Sequence, residues 1–350
     1  MAEGQRAGEF YTPKSIVNLL VEILAPFKGK IYDPACGSGG MFVMSARFKD
    51  AHQAKLNKKG DLAIYGQEKM AETRRLCLMN LAVHGLDGNI GEAYGSTFTN
   101  DQHKTLRADY ILANPPFNIK DWDGDKLKED PRWVYGTPPV GNANYAWLQH
   151  MLARLSKDGR AGVVLAKGSL TSQTNNEGSI RQKMVDEGVV ECIVNLPGQL
   201  FSNTQIPACL WFLANDKSSG VNGKNDRKNE VLFIDARSLK FNRISRKQIE
   251  LTEENLHQIS QIYHRWRGTE FSDGGEYSDE LGLCASVLTS KISDLNYVLT
   301  PGRYVGLPDE EDDLNFAERF NALKEEFEAQ LVEEEKISKV INENLARLKL

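Results

Sequence analysis

Ala108-Asp109-Tyr110-Ile111-Leu112-Ala113-Asn114-Pro115-Pro116-Phe117 is the stretch from which the fold is read. Tyr110 to Ala113 is a short apolar run, and it stops at an amide, two prolines and an aromatic ring. The run predicts a buried strand, and the prolines impose an extended exit from its carboxyl end. In a parallel sheet that end opens on the ligand crevice. An amide, stiff backbone carbonyls and a flat ring placed there suit the binding of a planar base, held by its exocyclic amine and stacked on one face.

The chain has 350 residues, 41% apolar and 26% charged, enough to bury a sizeable core. No apolar run approaches the roughly 20 residues that cross a bilayer, and Met1 to Glu9 is too polar for a signal peptide. A membrane role is therefore not expected. The five cysteines (Cys36, Cys77, Cys192, Cys209 and Cys284) are scattered, with no Cys-x-x-Cys pair. They read as reduced thiols of a cytoplasmic protein, and the six histidines show no metal spacing either. Net charge is −5, but Asp309 to Leu350 holds 13 acidic and 6 basic residues, so the rest is close to neutral. A protein that grips DNA alone carries a strongly basic face. If this one acts on DNA, a partner supplies much of the phosphate grip.

Outward from the central stretch, Lys14 to Ala25 has helical spacing, with Thr12 as N-cap and Pro13 at the first helical position. Ile31-Tyr32-Asp33-Pro34-Ala35-Cys36-Gly37-Ser38-Gly39-Gly40 predicts a strand, a glycine-rich turn and a helix from Met41. It is neither the dinucleotide Gly-x-Gly-x-x-Gly pattern nor a P-loop, and Asp33 would repel a phosphate. A ligand with an ammonium group and an adenosine fits better. Leu62 to Glu68 predicts a second strand ending in a carboxylate, suited to ribose hydroxyls or to a helix N-terminus. A third strand is expected over Asn89 to Tyr94, opening at Gly95-Ser96-Thr97.

The long segment Asn118 to Asn142 is rich in Trp, Asp, Gly and Pro. Two readings stand: Lys120, Arg132 and Trp133 touch nucleic acid, or the loop folds on an aromatic core of its own. Alternating strands and helices follow, with strands over Gly159 to Ala166, Val189 to Leu196, Ala208 to Ala214 and Val231 to Ala236. A helix is expected from Arg246 to Trp266 and a polar loop from Phe271 to Gly282. The whole predicts an α/β class with a doubly wound, mostly parallel sheet. Leu314 to Leu350 lacks Gly and Pro, and its apolar residues Phe316, Phe320, Leu323, Phe327, Leu331, Ile337, Ile341, Leu345 and Leu348 recur at three- and four-residue steps. This is a long amphipathic helix with an acidic back, and another chain's helix is the favoured cover for its seam.

Phe10-Tyr11-Thr12-Pro13, Asp33-Pro-Ala-Cys-Gly-Ser-Gly39, Glu68 and Asn114-Pro-Pro-Phe117, in that order, resemble the motifs of gamma-group N6-adenine DNA methyltransferases. Gly8 to Pro13, Asn114 to Asn118, Asn144-Tyr-Ala-Trp-Leu-Gln-His150, Leu196-Pro-Gly-Gln-Leu-Phe201 and Leu299-Thr-Pro-Gly-Arg-Tyr304 extend the resemblance to modification subunits of type I restriction–modification systems. It implies the seven-stranded sheet of S-adenosylmethionine-dependent methyltransferases over residues 1–308, with 309–350 as a tail for partner binding. It further implies S-adenosylmethionine as methyl donor and adenine in duplex DNA as acceptor. The cofactor would lie against Phe10, Tyr11, Thr12, Asp33, Ala35, Gly37, Ser38, Gly39, Glu68 and Asn114, with Thr12 at its methionine end and Glu68 on the ribose. Asn114, Pro115, Pro116 and Phe117 would carry the chemistry, and Phe117 and Phe201 would stack the flipped base. No metal is implied. The partners would be DNA, a specificity subunit engaged through the tail, a second modification subunit and, indirectly, a restriction subunit.

Three departures accompany the resemblance, one being that no target-recognition domain is visible in the sequence. Ser96 stands where many relatives carry an acidic residue against the adenine ring, and only a few residues stand where the family's N-terminal helical domain is expected. Rival readings are a methyltransferase of RNA adenine or of release-factor glutamine, and a non-catalytic, cofactor-binding assembly subunit. The glutamine enzymes share Asn-Pro-Pro but ordinarily carry Tyr at the position of Phe117, and they lack the Phe-x-Thr-Pro opening.

Overall fold

The structure, a computed structural model, describes residues 12–201, 206–246 and 248–306 (side chains of 54 and 55 excepted), with a few positions between 324 and 341. Two compact units are distinguished, residues 1–306 and residues 307–350. In the first, the elements in chain order are α1 (Lys14–Leu24), β1 (Gly29–Asp33), α2 (Gly40–Leu56), β2 (Leu62–Gly66), α3 (Ala71–Val83), β3 (Gly88–Asn89) and β4 (Ala108–Ala113). They continue with α4 (Asn144–Arg154), β5 (Leu155–Ala166), α5 (Glu177–Asp186), β6 (Val190–Asn195), β7 (Ala208–Ala214) and β8 (Glu230–Asp235). A hairpin of β9 (Asn242–Ser245) and β10 (Gln248–Glu250), then α6 (Glu253–Arg267), β11 (Cys284–Leu288) and α7 (Thr289–Asp294), complete the unit.

One nine-stranded sheet runs in the order β11-β8-β6-β7-β5-β4-β1-β2-β3. β7 lies antiparallel between β5 and β6, whereas β3, β2, β1, β4 and β5 pair in parallel. The chain thus adds two strands, β8 and β11, beyond the expected seven. The order reverses between β1 and β4, whose pairing sets Tyr32 opposite Ile111. Asp33 and Asn114 therefore leave the sheet on neighbouring strands at its topological switch point, the place where open α/β sheets bind ligands. Core residues fill both faces of the sheet: Leu112, Val164, Val194 and Leu210 look to one side and Ile111, Val163, Ile193 and Trp211 to the other. That alternation is the period-two pattern of a sheet covered on both faces.

Some sequence expectations are revised. Only Gly88–Asn89 pair as a strand, so most of the third strand expected over Asn89 to Tyr94 is irregular. Residues 246 and 248–252 are not helical: Gln248–Glu250 form strand β10, and α6 starts only after a capping box of Thr252 and Asn255. Local hydrogen bonding from the Thr252 hydroxyl stops the helix from extending backward. Strand β11, after the polar loop, pairs with β8 as an edge that the sequence reading did not single out.

Helix α1 is buried on almost every face, against α2, α6 and β5. Its terminal carbonyls, which have no partner within a helix, are met by side chains. Arg160 Nη2 donates to Leu24 O at 2.7 Å, and His264 Nε2 donates to Glu22 O at 2.8 Å. Burial holds His264 neutral, its pKa pushed down to about 4, and its Nδ1 accepts from the Thr269 hydroxyl. Behind α6, Glu191 of β6 and Arg267 are fully buried, 3.0 Å apart, and Tyr263 OH donates to Glu191 Oε2 at 2.8 Å.

In the second unit the described positions from Lys324 to Ile341 are helical. Phe327, Leu331, Ile337 and Ile341 are about half exposed and fall on one side of a helical wheel. Phe316, Phe320, Leu323, Leu345 and Leu348 of the expected seam lie outside the described residues, as do Phe10 and Tyr11.

Removing one member of a buried ion pair leaves the other charge without compensation, at about 3–5 kcal/mol. Arg267→Ala is expected to lower the free energy of unfolding by that amount in urea titrations, and Glu191→Met combined with Arg267→Met to recover a large part of it. A single variant as stable as the parent would show that the pair does not anchor α6.

Candidate active site

A cleft of about 1460 Å³ opens at the switch point. Its walls come from the glycine-rich turn after β1, Glu68 after β2, Ser96 to Phe98, and Asn114, Pro116 and Phe117 after β4. Thr12 closes one end, and Trp122 and Trp147 stand on another wall. Thr12, Asp33 to Ser38, Glu68, Asn114, Pro116 and Phe117 of the sequence motifs therefore meet in one cavity although they are dispersed along a hundred residues of chain.

The turn is built by backbone conformation and carboxylates. Gly37 and Gly39 adopt positive φ of 53° and 80°, a region costly for other residues. At Gly39 a Cβ would also come within 2.9 Å of Cys77 Sγ, so α3 packs where only glycine fits. Glu68 accepts from Gly37 N at 3.0 Å and from Met70 N at 2.9 Å. The acid both faces the cleft and clamps the turn to the start of α3. Gln67, fully buried, donates to Gly95 O and Asn100 O, and so fixes the segment that carries Ser96, Thr97 and Phe98. The Thr97 hydroxyl returns to the turn by donating to Pro34 O.

Asp33 is 2% exposed and accepts from Ala35 N at 2.9 Å. Burial pushes its carboxyl up to about 8; the Ala35 amide opposes the rise and the neighbouring Glu68 charge adds to it.

Asn114 lies just past β4. Its Nδ2 donates to Thr12 Oγ1 at 2.8 Å, and among the described residues its buried Oδ1 has no hydrogen-bond partner. The sequence predicts Thr12 as the N-cap of α1, but Pro13 occupies the cap position and no side chain caps the helix. The hydroxyl is drawn instead to an amide 102 residues away. Phe117 is mostly buried and meets Phe201 edge to face, centroids 5.9 Å apart.

The segment 118–142 settles between its two readings. Its ends are tied by Asn118 N donating to Asn144 Oδ1 (3.1 Å) and Asn144 Nδ2 to Asn118 Oδ1 (2.9 Å). Trp122 and Trp133 are buried against Phe98, and Trp147 of α4 packs on the same ring at 4.2 Å. Arg132 is buried as well and donates to Thr97 O, Phe98 O, Asp130 and His150 Nδ1. Arg132 and Trp133 thus hold the fold together, and only Lys120 of the three stays exposed on the cleft. Arginine can only donate, so His150 Nδ1 is the acceptor and its Nε2 carries the proton toward Tyr32 OH at 3.2 Å. Burial first, and Arg132 with Arg154 after it, keep His150 neutral, at a pKa near about 3. This network joins the wall at Phe98 to the residue before Asp33. Trp147 and His150 belong to the segment Asn144 to His150, and nothing in their local sequence marks them as cleft supports.

Residues 1–313 match the family described as N-6 DNA Methylase. The HindI type I restriction enzyme methylase subunit of Haemophilus influenzae is 46% identical over 99% of the chain and 75% of its own length. The MjaIX methylase subunit of Methanocaldococcus jannaschii is 38% identical over 99% of the chain and 60% of its own. Among solved structures, the type I restriction-modification methyltransferase subunit of Streptococcus thermophilus superposes with TM-score 0.70 at 27% identity, over 86% of the chain and 60% of that protein. The chain is therefore shorter than each of these relatives. Strand order, a cleft at the switch point and these matches agree: the chain belongs to the N-6 DNA methylase family, S-adenosylmethionine-dependent methyltransferases of the type I methylase-subunit kind.

Proposed function

We propose that this chain transfers the methyl group of S-adenosylmethionine to N6 of a flipped-out adenine in DNA, as part of a type I modification subunit. The observation that carries the reading is the Asn114 amide, whose Nδ2 is taken by Thr12 while its buried Oδ1 has no partner among the described residues. A buried acceptor in this state is costly unless a ligand satisfies it. An exocyclic amine is such a ligand.

The residues of the cleft fit the cofactor. Asp33 offers a carboxylate to its cationic end, the Gly37–Gly39 turn lets it approach the backbone, and Glu68 faces the ribose hydroxyls. Ala35 and Ser38 line the same wall, with Thr12 at the methionine end. When bound, the cofactor supplies a sulfonium methyl as electrophile. The adenine amine must be made nucleophilic, because its lone pair is delocalised into the ring. Hydrogen bonds from N6 to Asn114 Oδ1 and to the Pro115 carbonyl would draw it toward a tetrahedral shape and direct the lone pair at the methyl. The N–C bond would form as the S–C bond breaks with its electron pair left on sulfur, and the amine would release one proton to water. Pro115 and Pro116 keep the backbone carbonyl stiff, and Phe117, with Phe201 behind it, offers the face on which the base stacks. Positioning and polarisation supply the rate, and the base reaches the cleft by leaving the duplex stack.

The near-neutral catalytic unit points to a borrowed DNA grip. A specificity subunit supplies it, and the apolar side of the tail helix, with Phe327, Leu331, Ile337 and Ile341, is the surface it meets. A second modification subunit and, indirectly, a restriction subunit complete the assembly on DNA in the cytoplasm.

Asn114→Ala is expected to abolish methyl transfer from labelled cofactor to unmethylated duplex DNA while cofactor binding, by calorimetry, survives; an active variant, or loss of cofactor binding as well, would overturn the reading. Cofactor affinity should also follow Asp33. Its carboxyl must lose a proton to meet a cation, so affinity should climb about tenfold per pH unit as pH is raised toward about 8, then stop climbing. Asp33→Asn should bind more weakly and flatten that profile, and a flat profile in the parent would remove Asp33 from the cationic end. Deleting Leu314 to Leu350 should weaken association with the specificity subunit in a pull-down titration, where undiminished affinity argues against the tail.

A further inference from the structure

The cleft leaves one question of geometry: what decides which end of the Asn114 amide faces the target. Its two ends have almost the same shape and opposite hydrogen-bonding character. If Nδ2 faced an adenine N6, donor would oppose donor and the amine would be repelled. The contact that distinguishes the ends is the one to Thr12, 2.8 Å from Nδ2.

We infer that Thr12 is a positioning residue of the transfer step: its hydroxyl accepts from Asn114 Nδ2 and so presents Oδ1 to the target amine. The inference rests on the proposed role of Asn114. A hydroxyl can accept or donate, and the outcome depends on where its own proton goes. Thr12 lines the cofactor cleft together with Asn114, and Pro13 behind it frees it from helix capping. With its proton offered to an acceptor on the bound cofactor, only oxygen lone pairs remain for Asn114, and these select the nitrogen end. A hydroxyl that donates is also a stronger acceptor. Filling of the cofactor site is thereby coupled to the orientation of the catalytic amide. A role confined to the cofactor would predict a different outcome, namely weaker binding with an undiminished rate at saturation.

Thr12→Val keeps the shape and removes the hydroxyl, and Thr12→Ser restores the oxygen. Both are to be compared with the parent and Asn114→Ala, in the full chain with its specificity subunit. The measurements are cofactor affinity by calorimetry and the single-turnover rate on DNA lacking N6-methyladenine at saturating cofactor. Thr12→Val should lose about tenfold or more in the saturated rate, the order of one lost hydrogen bond, with a smaller loss of affinity. Thr12→Ser should return most of the rate. If Thr12→Val loses affinity alone, or Thr12→Ser stays as slow as Thr12→Val, the inference fails while the Asn114 reading stands. An active Asn114→Ala brings down the reading itself, and the inference with it.

Discussion

Everything at the cleft depends on two adjacent parallel strands, β1 and β4, ending side by side where the sheet changes direction. Parallel pairing sends both chains out of the same edge, and the reversal of strand order opens a crevice between their exits. A carboxylate carried by one exit and an amide carried by the other then face a single cavity. Neither residue needs a special local conformation to be there. The requirement is met by the apolar strands beneath, buried on both faces of the sheet.

Around that edge the protein uses polar groups to hold loops that apolar packing cannot specify. Glu68 accepts two backbone amides at the turn, Gln67 fixes the next segment, and Arg132 fastens a 25-residue excursion to the cleft wall. Buried polar groups are expensive unless satisfied, so each such contact has few alternatives. The network from Arg132 through His150 to Tyr32 passes beneath the cleft and ends one residue before Asp33. Aromatic packing on Phe98 fills the space between these contacts. The result is a rigid frame for a reaction that relies on alignment of two reacting groups.

The stretch Ala108 to Phe117 reads correctly as structure because its strand and the exit of that strand are both encoded locally. An apolar run that stops at Asn-Pro-Pro-Phe predicts the strand, its end and an amide at the crevice together, and the glycine turn with Asp33 is legible for the same reason. Where local patterns conflict with distant partners, the reading fails. Thr12 before a proline looks like a cap, yet its hydroxyl is taken by Asn114. Arg132 and Trp133 are compatible in sequence with either a nucleic-acid surface or an aromatic core, and only burial against Phe98 decides for the core. The stretch from Arg246 is polar and helix-compatible, but Gln248–Glu250 pair as a strand with Asn242–Ser245.

Period, punctuation and residue type thus carry the strand ends, the glycine turn and the ordering of motifs, since these follow from interactions within a few residues. Folding alone brings Thr12 to an amide 102 residues away, Arg132 to a carbonyl 35 residues away and Tyr32 to a histidine 118 residues away. Such contacts depend on strand order and on which faces the helices cover, and both are settled by the burial of the whole core. A side chain's local context does not record which distant group will be waiting for it.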